Sequence, residues 1–133
     1  MLIVERAVLA LRGRIGSHVR DLAWDGTTLV VTGDGWRVRA LCSWRLMRRG
    51  TLTVGSDDKE SGRGIEALRG TELVDVRTAE IPVDPVLIFS EGVRLEIFSS
   101  SSFEPWVIHV DGHPVVFVAS PSDPAAGAGP AIE

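Results

Sequence analysis

The chain has 133 residues, 44% of them hydrophobic and 24% charged, with a formal net charge of −4. These proportions are typical of one globular domain, and the acidic balance disfavours nucleic-acid binding, which needs a dominant basic field. The single cysteine, Cys42, allows no internal disulfide, no apolar run is long enough for a membrane span, and the N-terminus lacks a basic leader. We therefore expect a cytoplasmic protein that is not membrane-bound.

Charge is distributed unevenly between the two halves of the chain. Residues 1–49 contain 9 arginines against 4 acidic residues, and residues 50–133 contain 5 basic against 14 acidic residues. This distribution favours attraction between the two halves within one domain. The alternative is a charged patch that binds a partner.

Two segments share one pattern of strands and turns. Leu11-Arg12-Gly13 returns 57 residues later as Leu68-Arg69-Gly70, and residues 29–40 match residues 86–97 at the same offset. Each of the longer segments has an apolar run, an acid-glycine turn and then strict alternation, which is typical of a β-hairpin. Beyond these segments, Trp44 and Trp106 match at an offset of 62, and a serine-rich loop accounts for the five additional residues.

The repeat predicts a mainly β fold, with α+β as the alternative. One domain (1–119) contains two antiparallel repeats, about 11–54 and 68–118, that form a sandwich or a partly open barrel. A polar linker (55–64) joins them, and a flexible tail (120–133) follows. At most one or two short helices are expected: Ile65–Arg69 is one candidate, and Glu5–Leu11 is either its counterpart or a first strand.

Alternation along the strands identifies the core anchors. Trp36 shares a face with Ala40, and Trp44 shares a face with Leu46. Both sets face one core if Ala40 lies opposite Trp44 across a loop of residues 41–43, and in the second repeat Ile97 then lies opposite Trp106 across residues 98–105. The predicted anchors are the four tryptophans, Trp24, Trp36, Trp44 and Trp106.

The same register predicts a partner-binding face. It places Arg37, Arg39 and Arg45 together on the side away from the core, with Arg39 opposite Arg45. Like charges that face each other are unfavourable unless acidic groups cover them. Acidic groups of the same chain are one candidate cover, a partner protein or the second subunit of a homodimer is another, and nucleic acid or a small anion is the third.

No residue set indicates catalysis, a metal or a cofactor. His109 and His113 have a spacing that suits a metal on a helix, but Gly112 and Pro114 exclude a helix, and a hairpin turn at Asp111-Gly112 would direct the two side chains apart. The acidic residues of 57–60 lack calcium-loop spacing, and the serines of 99–102 lack an adjacent base. Cys42 is interpreted as a semi-buried thiol.

Several short motifs follow one another over most of residues 11–110. They include Ser43-Trp44-Arg45-Leu46, Gly55-Ser56-Asp57-Asp58 and Phe103-Glu104-Pro105-Trp106. In this order they resemble a family of small β-rich actinobacterial proteins of unknown function. The resemblance implies no activity, but some similar small β-rich proteins act as immunity factors against secreted toxins.

The sequence as a whole favours a non-catalytic protein-interaction domain, and a toxin-neutralising immunity protein is the specific hypothesis. A small-molecule-binding β half-barrel, with its ligand in the cleft between the repeats, is the alternative. An enzyme ranks third because no base, nucleophile and orienting group can be assembled.

Overall fold

The computed structural model describes residues 2–41, 43–79, 84–98, 106–113, 115–118 and 128–130. The first repeat contains one helix and five strands: α1 (Ile3–Arg12), β1 (Val19–Trp24), β2 (Leu29–Gly33), β3 (Trp36–Ala40), β4 (Ser43–Arg48) and β5 (Thr51–Gly55). The second repeat and the segment after it contain α2 (Ser61–Gly64), a 3₁₀ helix (Ile65–Leu68), β6 (Leu73–Thr78), β7 (Pro85–Phe89), a 3₁₀ turn (Ser90–Gly92), β8 (Val93–Phe98), β9 (Trp106–Val110), β10 (Val115–Val118) and β11 (Ala128–Pro130).

The strands form two antiparallel sheets, and each sheet contains strands of both repeats. Within the described residues, the first sheet has six strands in the order β1-β2-β3-β9-β10-β11, and the second has five in the order β5-β4-β8-β7-β6. The first three strands of each repeat form a meander in one sheet, and the last two join the other sheet. The sheets do not close into a barrel over the described strands, so the predicted mainly β fold is confirmed and its form is consistent with a sandwich.

An approximate twofold axis relates the two repeats. Where β3 meets β9, Ala40 pairs with Trp106, and where β8 meets β4, Ile97 pairs with Trp44. Ile97 lies 57 residues after Ala40, and Trp106 lies 62 residues after Trp44, so these residues are equivalent in the two repeats. Interchanging the repeats therefore converts the first pair into the second. Each repeat therefore gives its last two strands to the sheet of the other repeat in the same way.

The predicted pairing of Ala40 with Trp44, and of Ile97 with Trp106, is wrong. The chain leaves β3 after Ala40 and crosses to the second sheet through residues 41–42, and β8 likewise crosses to the first sheet through residues 99–105. Side-chain alternation is a local property and is the same whether a short connection makes a hairpin or crosses between stacked sheets. The connection after β8 is five residues longer than the connection after β3, as the sequence predicted.

The alignment of the repeats also shifts by one residue in one strand. Val19 pairs with Gly33 and Leu73 pairs with Phe89, so Gly33 corresponds to Phe89 at an offset of 56. The turn after Phe89 contains one more residue than the turn after Gly33, which restores the offset of 57 at Trp36 and Val93.

The core lies between the sheets. Trp36, Trp44 and Trp106 are buried there, with 1–2% of their surface exposed. Trp24 is only partly buried and packs edge-to-face on Trp44, with 5.2 Å between ring centroids. Full burial of a large apolar side chain contributes about 1.5–3 kcal/mol, so these rings supply much of the stability of a domain this small.

The helices close the open sides of the sandwich. Helix α1 carries a continuous apolar stripe that packs against β6 of the second sheet and β10 of the first. The pair formed by α2 and the 3₁₀ helix after it packs against β1 and β5 on the opposite side. Of the two alternatives for Glu5–Leu11, the helix is therefore the one observed.

The predicted linker is partly folded. Ser61 begins α2, is 1% exposed and donates its hydroxyl to the Gly55 carbonyl at 2.7 Å. Within the predicted tail, Ala128–Pro130 pairs with β10, and the remaining residues of 120–133 lie outside the described part. No helix of the described residues has the length and apolar character needed to cross a membrane.

Candidate functional site

Two of the three predicted arginines lie on the outer face of the first sheet. Arg37 and Arg39 alternate along β3 with Trp36 and Val38, which face the core. In the adjacent strands, Arg37 pairs with Thr32 and His109, and Arg39 pairs with Val30 and Val107. These residues, which we call the arginine face, are Val30, Thr32, Arg37, Arg39, Val107 and His109.

Arg45 does not belong to the arginine face. It lies on β4 in the second sheet, where it pairs with Glu96 of β8 and Gly55 of β5. The prediction that the three arginines share one face, with Arg39 opposite Arg45, is wrong because the chain changes sheets between β3 and β4. All three positions nevertheless point away from the core.

Glu96 neutralises Arg45 within the same chain. Arg45 Nε donates to Glu96 Oε1, and Arg94 Nε lies 2.9 Å from Glu96 Oε2 on the other side. The Glu96 side chain is only 13% exposed, and the Arg45 guanidinium also stacks over the Phe98 ring at 5.0 Å from its centroid. Arg45 is therefore covered by an acidic residue from the other half of the chain, which was one of the predicted alternatives.

The twofold axis makes the two outer faces directly comparable. Arg94 corresponds to Arg37, and Glu96 corresponds to Arg39. The first sheet therefore has an arginine where the second sheet has the neutralising glutamate. Arg37 is exposed and makes no ion pair with any other residue of the described chain. Arg37 therefore lacks the ion pair that its equivalent Arg94 makes with Glu96.

Apolar surface accompanies these charges. Val107 is 5% exposed although it is not part of the core cluster between the sheets. Val30 lies on the other side of Arg39 and is half-buried. Val107 is therefore already covered within the chain, and Val30 is the half-buried apolar side chain beside the guanidinium groups.

A cavity of about 310 Å³ lies between α1 and β6. Its lining is mixed, with apolar and charged side chains: Glu5, Val8, Leu9, Arg12, Arg77 and Thr78. Arg12 Nε donates to the Val76 carbonyl at 2.9 Å, and Arg77 Nε donates to Asp75 Oδ2 at 2.8 Å. The bond from Arg77, with the Val76 N–H, lowers the pKa of Asp75. The sequence contains no signal for this cavity because α1 and β6 meet only in the tertiary structure.

The two histidines contact different residues. His109 lies on the arginine face with Nδ1 3.7 Å from Asp111 Oδ1, whereas the His113 ring contacts the ring of buried Phe117 at 6.1 Å. No group of three histidine, cysteine or acidic side chains in the described part of the chain is arranged to hold a metal ion. Cys42 and residues 99–102 lie outside the described residues.

No protein-family model, curated protein or solved structure matches this chain. The features that could carry a function are the outer faces of the sheets, the strand edges and the cavity between α1 and β6. Of these, the arginine face has the most distinctive charge arrangement.

Proposed function

We propose that this protein is a non-catalytic, cytoplasmic interaction domain that binds an acidic surface of a partner protein through the arginine face. The observation that carries the proposal is the exposed Arg37, which makes no ion pair with any other described residue, whereas the equivalent Arg94 of the second sheet lies 2.9 Å from Glu96. The single cysteine supports a reducing compartment.

The guanidinium groups of the arginine face favour a partner that carries carboxylates. Arg37 is exposed and makes no ion pair with any other residue of the described chain. Its planar guanidinium group can bind a carboxylate of a partner in a bidentate geometry. The adjacent Val30 is half-buried and supplies a small apolar surface from which a partner can exclude water.

The specific form of the proposal is a toxin-neutralising immunity protein. It is motivated by the resemblance of the chain to small β-rich proteins, some of which neutralise secreted toxins. An acidic active-site rim or acidic loop of such a toxin would suit the arginine face. A toxin encoded by a neighbouring gene is the first partner to test.

The test compares two charge-reversed variants with the wild type. Arg37→Glu combined with Arg39→Glu reverses the arginine face, and Arg63→Glu is the control because Arg63 is exposed on α2. We expect the double variant to lose at least about tenfold in affinity for the toxin, and to lose protection of cells that express it. The control should bind and protect like the wild type. Equal binding by both variants would contradict the assignment of this face.

A small-molecule site is the second candidate, and the cavity between α1 and β6 favours it. The cavity lies beside the sandwich, between α1 of the first repeat and β6 of the second. Arg12 and Arg77 would suit a small anion with an apolar group. Titration calorimetry with short aliphatic dicarboxylates tests this. Saturable binding that is lost in Arg77→Gln but kept in Arg63→Gln would support it.

A further inference from the structure

The twofold relation between the repeats extends to the helices. Helix α1 packs against β6 and β10, and α2 with its 3₁₀ helix packs against β1 and β5, which hold the equivalent places in the two sheets. Arg69 Nη1 lies 3.7 Å from Asp21 Oδ1 of β1, and Arg12 Nε lies 4.0 Å from Asp75 Oδ1 of β6. Arg12 and Arg69 are equivalent at the offset of 57, so the two helical segments cover equivalent strands in the same register.

On one side of the sandwich, an indole ring fills the space beside the helix. Trp24, the last residue of β1, packs edge-to-face on Trp44 and is partly buried. The ring also reaches α2, where a Cβ added to Gly62 would lie 3.7 Å from Trp24 Cδ1. The Trp24 ring therefore occupies the space between β1 and α2.

The equivalent space on the other side is a cavity. Thr78 corresponds to Trp24, because each is the last residue of its strand and pairs with the first residue of the next strand. Glu5 of α1 corresponds to Gly62 of α2 at the offset of 57. Thr78 and Glu5 both line the cavity of about 310 Å³ between α1 and β6. The cavity therefore lies where the other side of the domain holds an indole ring.

The side chains of α1 leave this space open and make part of it apolar. The Leu2 N–H donates to Glu5 Oε1 at 2.9 Å, which turns the Glu5 side chain toward the start of the helix. Val8 and Leu9 line the cavity, and Leu9 is 55% exposed. A ring in the cavity would cover Leu9 and remove apolar surface from water.

The size of the cavity and its two arginines suit a planar ring. A cavity of about 150 Å³ can hold benzene, so about 310 Å³ has room for two fused rings. Arg12 Nε is bonded to the Val76 carbonyl and Arg77 Nε to Asp75, so both guanidinium groups are held in place at the lining. Planar guanidinium groups stack favourably on aromatic rings.

We propose that the cavity between α1 and β6 binds a small molecule through a planar aromatic ring of about the size of indole. The ring would lie between α1 and β6 as the Trp24 ring lies between α2 and β1. The proposal rests on the second candidate function, for which it names the ligand class, and it does not depend on the arginine face.

Titration of the whole protein with indole, followed by amide NMR spectra of the isotope-labelled protein, tests the site. We expect saturable one-to-one binding with a dissociation constant below about 1 mM and with the largest shifts in α1 and β6. Thr78→Trp places the ring of the other side in the cavity and should abolish binding. Thr51→Trp is the matched control, because it adds the same ring at an exposed position of β5, and it should bind indole like the wild type.

Two exposed leucines provide a second matched pair that leaves the core unchanged. Leu9→Asp places a charge in the lining, and Leu52→Asp makes the same change on β5, at a position that is 56% exposed. Leu9→Asp should weaken indole binding at least about tenfold, because the ring would desolvate the charge, and Leu52→Asp should not weaken it. A wild type without saturable binding, shifts away from α1 and β6, undiminished binding by Thr78→Trp, or equal binding by the two aspartate variants would each overturn the proposal.

Short aliphatic dicarboxylates separate this proposal from the candidate function on which it rests. Dicarboxylates that bind at Arg77 while indole does not bind would retain the second candidate and overturn the aromatic-ring site. Indole that binds while dicarboxylates do not would support the ring as the group that is recognised. The variant with Arg37→Glu and Arg39→Glu should bind indole like the wild type, so a failure of the arginine face leaves this result unchanged.

Discussion

His18 and Glu72 pair with each other in an isolated antiparallel bridge at the twofold axis of the domain. They occupy equivalent positions in the two repeats, 54 residues apart, so the bridge joins the point where each repeat enters its first strand. Four backbone hydrogen bonds surround it in two symmetric pairs. In the first pair, Gly16 N–H donates to Leu73 O at 2.8 Å and Gly70 N–H donates to Val19 O at 3.0 Å. In the second pair, Val19 N–H donates to Thr71 O at 2.9 Å and Leu73 N–H donates to Ser17 O at 2.7 Å. The entry segments of the repeats therefore hold each other in place.

The two glycines of this crossing should be equally sensitive to substitution. Gly16 and Gly70 have φ of 99° and 80°, and a Cβ at either would meet nothing within 4 Å. Gly16→Ala and Gly70→Ala therefore impose backbone strain without a clash, and each should lower the free energy of unfolding by about 1–3 kcal/mol. Gly62→Ala in α2 is the control, because its Cβ would make only an ordinary 3.7 Å contact with Trp24. Urea unfolding followed by circular dichroism measures the three variants, and a loss for Gly62→Ala alone would contradict this account.

At one place in the core, the two repeats fill equivalent space with residues of different size. Gly33 and Trp36 of the first repeat correspond to Phe89 and Val93 of the second. A Cβ on Gly33 would lie 2.1 Å from Trp36 Cε2, so the indole ring fills the space that a side chain on Gly33 would need.

Gly33→Ala should therefore lower the free energy of unfolding by about 1–3 kcal/mol through overpacking. Gly33→Phe combined with Trp36→Val restores the arrangement of the second repeat and should cost less than the sum of the single changes, with a coupling of about 0.5–3 kcal/mol. A double-mutant cycle in urea measures this coupling. Strict additivity would mean that the two sites do not share one space.

The two equivalent tryptophans should respond differently to the same change. Trp106 Nε1 donates to Oδ1 of buried Asp84 at 3.1 Å, whereas Trp44 Nε1 is buried without a hydrogen-bond partner in the described residues. Trp106→Phe removes a partner from a buried carboxylate, and Trp44→Phe removes an unsatisfied donor with the same loss of volume. We expect Trp106→Phe to lower the free energy of unfolding by about 1–3 kcal/mol more than Trp44→Phe. Equal losses, measured by chemical denaturation, would show that the Asp84 bond has no net effect.

Acid should weaken the turn between β1 and β2. The backbone N–H groups of Thr28 and Thr27, with the Thr27 hydroxyl, donate to Asp25 and lower its pKa. Since the folded-state pKa lies below the unfolded value of about 3.9, the stabilisation is present above that value and is lost as the pH falls through the folded-state pKa.

The hydrogen bond from Arg20 lowers the pKa of Asp34 and adds a contribution of the same sign. Asp25→Asn keeps an acceptor oxygen in the turn but cannot titrate, so its unfolding free energy should depend less steeply on pH below about 4 than that of the wild type. Urea unfolding between about pH 2.5 and 6 measures the slope. An unchanged slope would show that the Asp25 carboxylate does not contribute.

Local sequence patterns determined the strands, their faces and the existence of a repeat. The alternation at 36–40 and 93–97 predicts which side chains face the core wherever the strand pairs, because successive side chains point to opposite faces. The burial of Trp44 and Trp106 follows from that alternation and from their matched positions in the repeat.

Only the tertiary structure decided which strands pair and which charges meet. A short connection such as residues 41–42 can close a hairpin or cross between stacked sheets without changing the local pattern, so Arg39 and Arg45 could not be assigned to one face from the sequence. The meeting of Arg45 with Glu96, 51 residues away, depends on that crossing. The pairing of Ala128–Pro130 with β10 is likewise decided by the tertiary structure, because the composition of these three residues does not predict a strand.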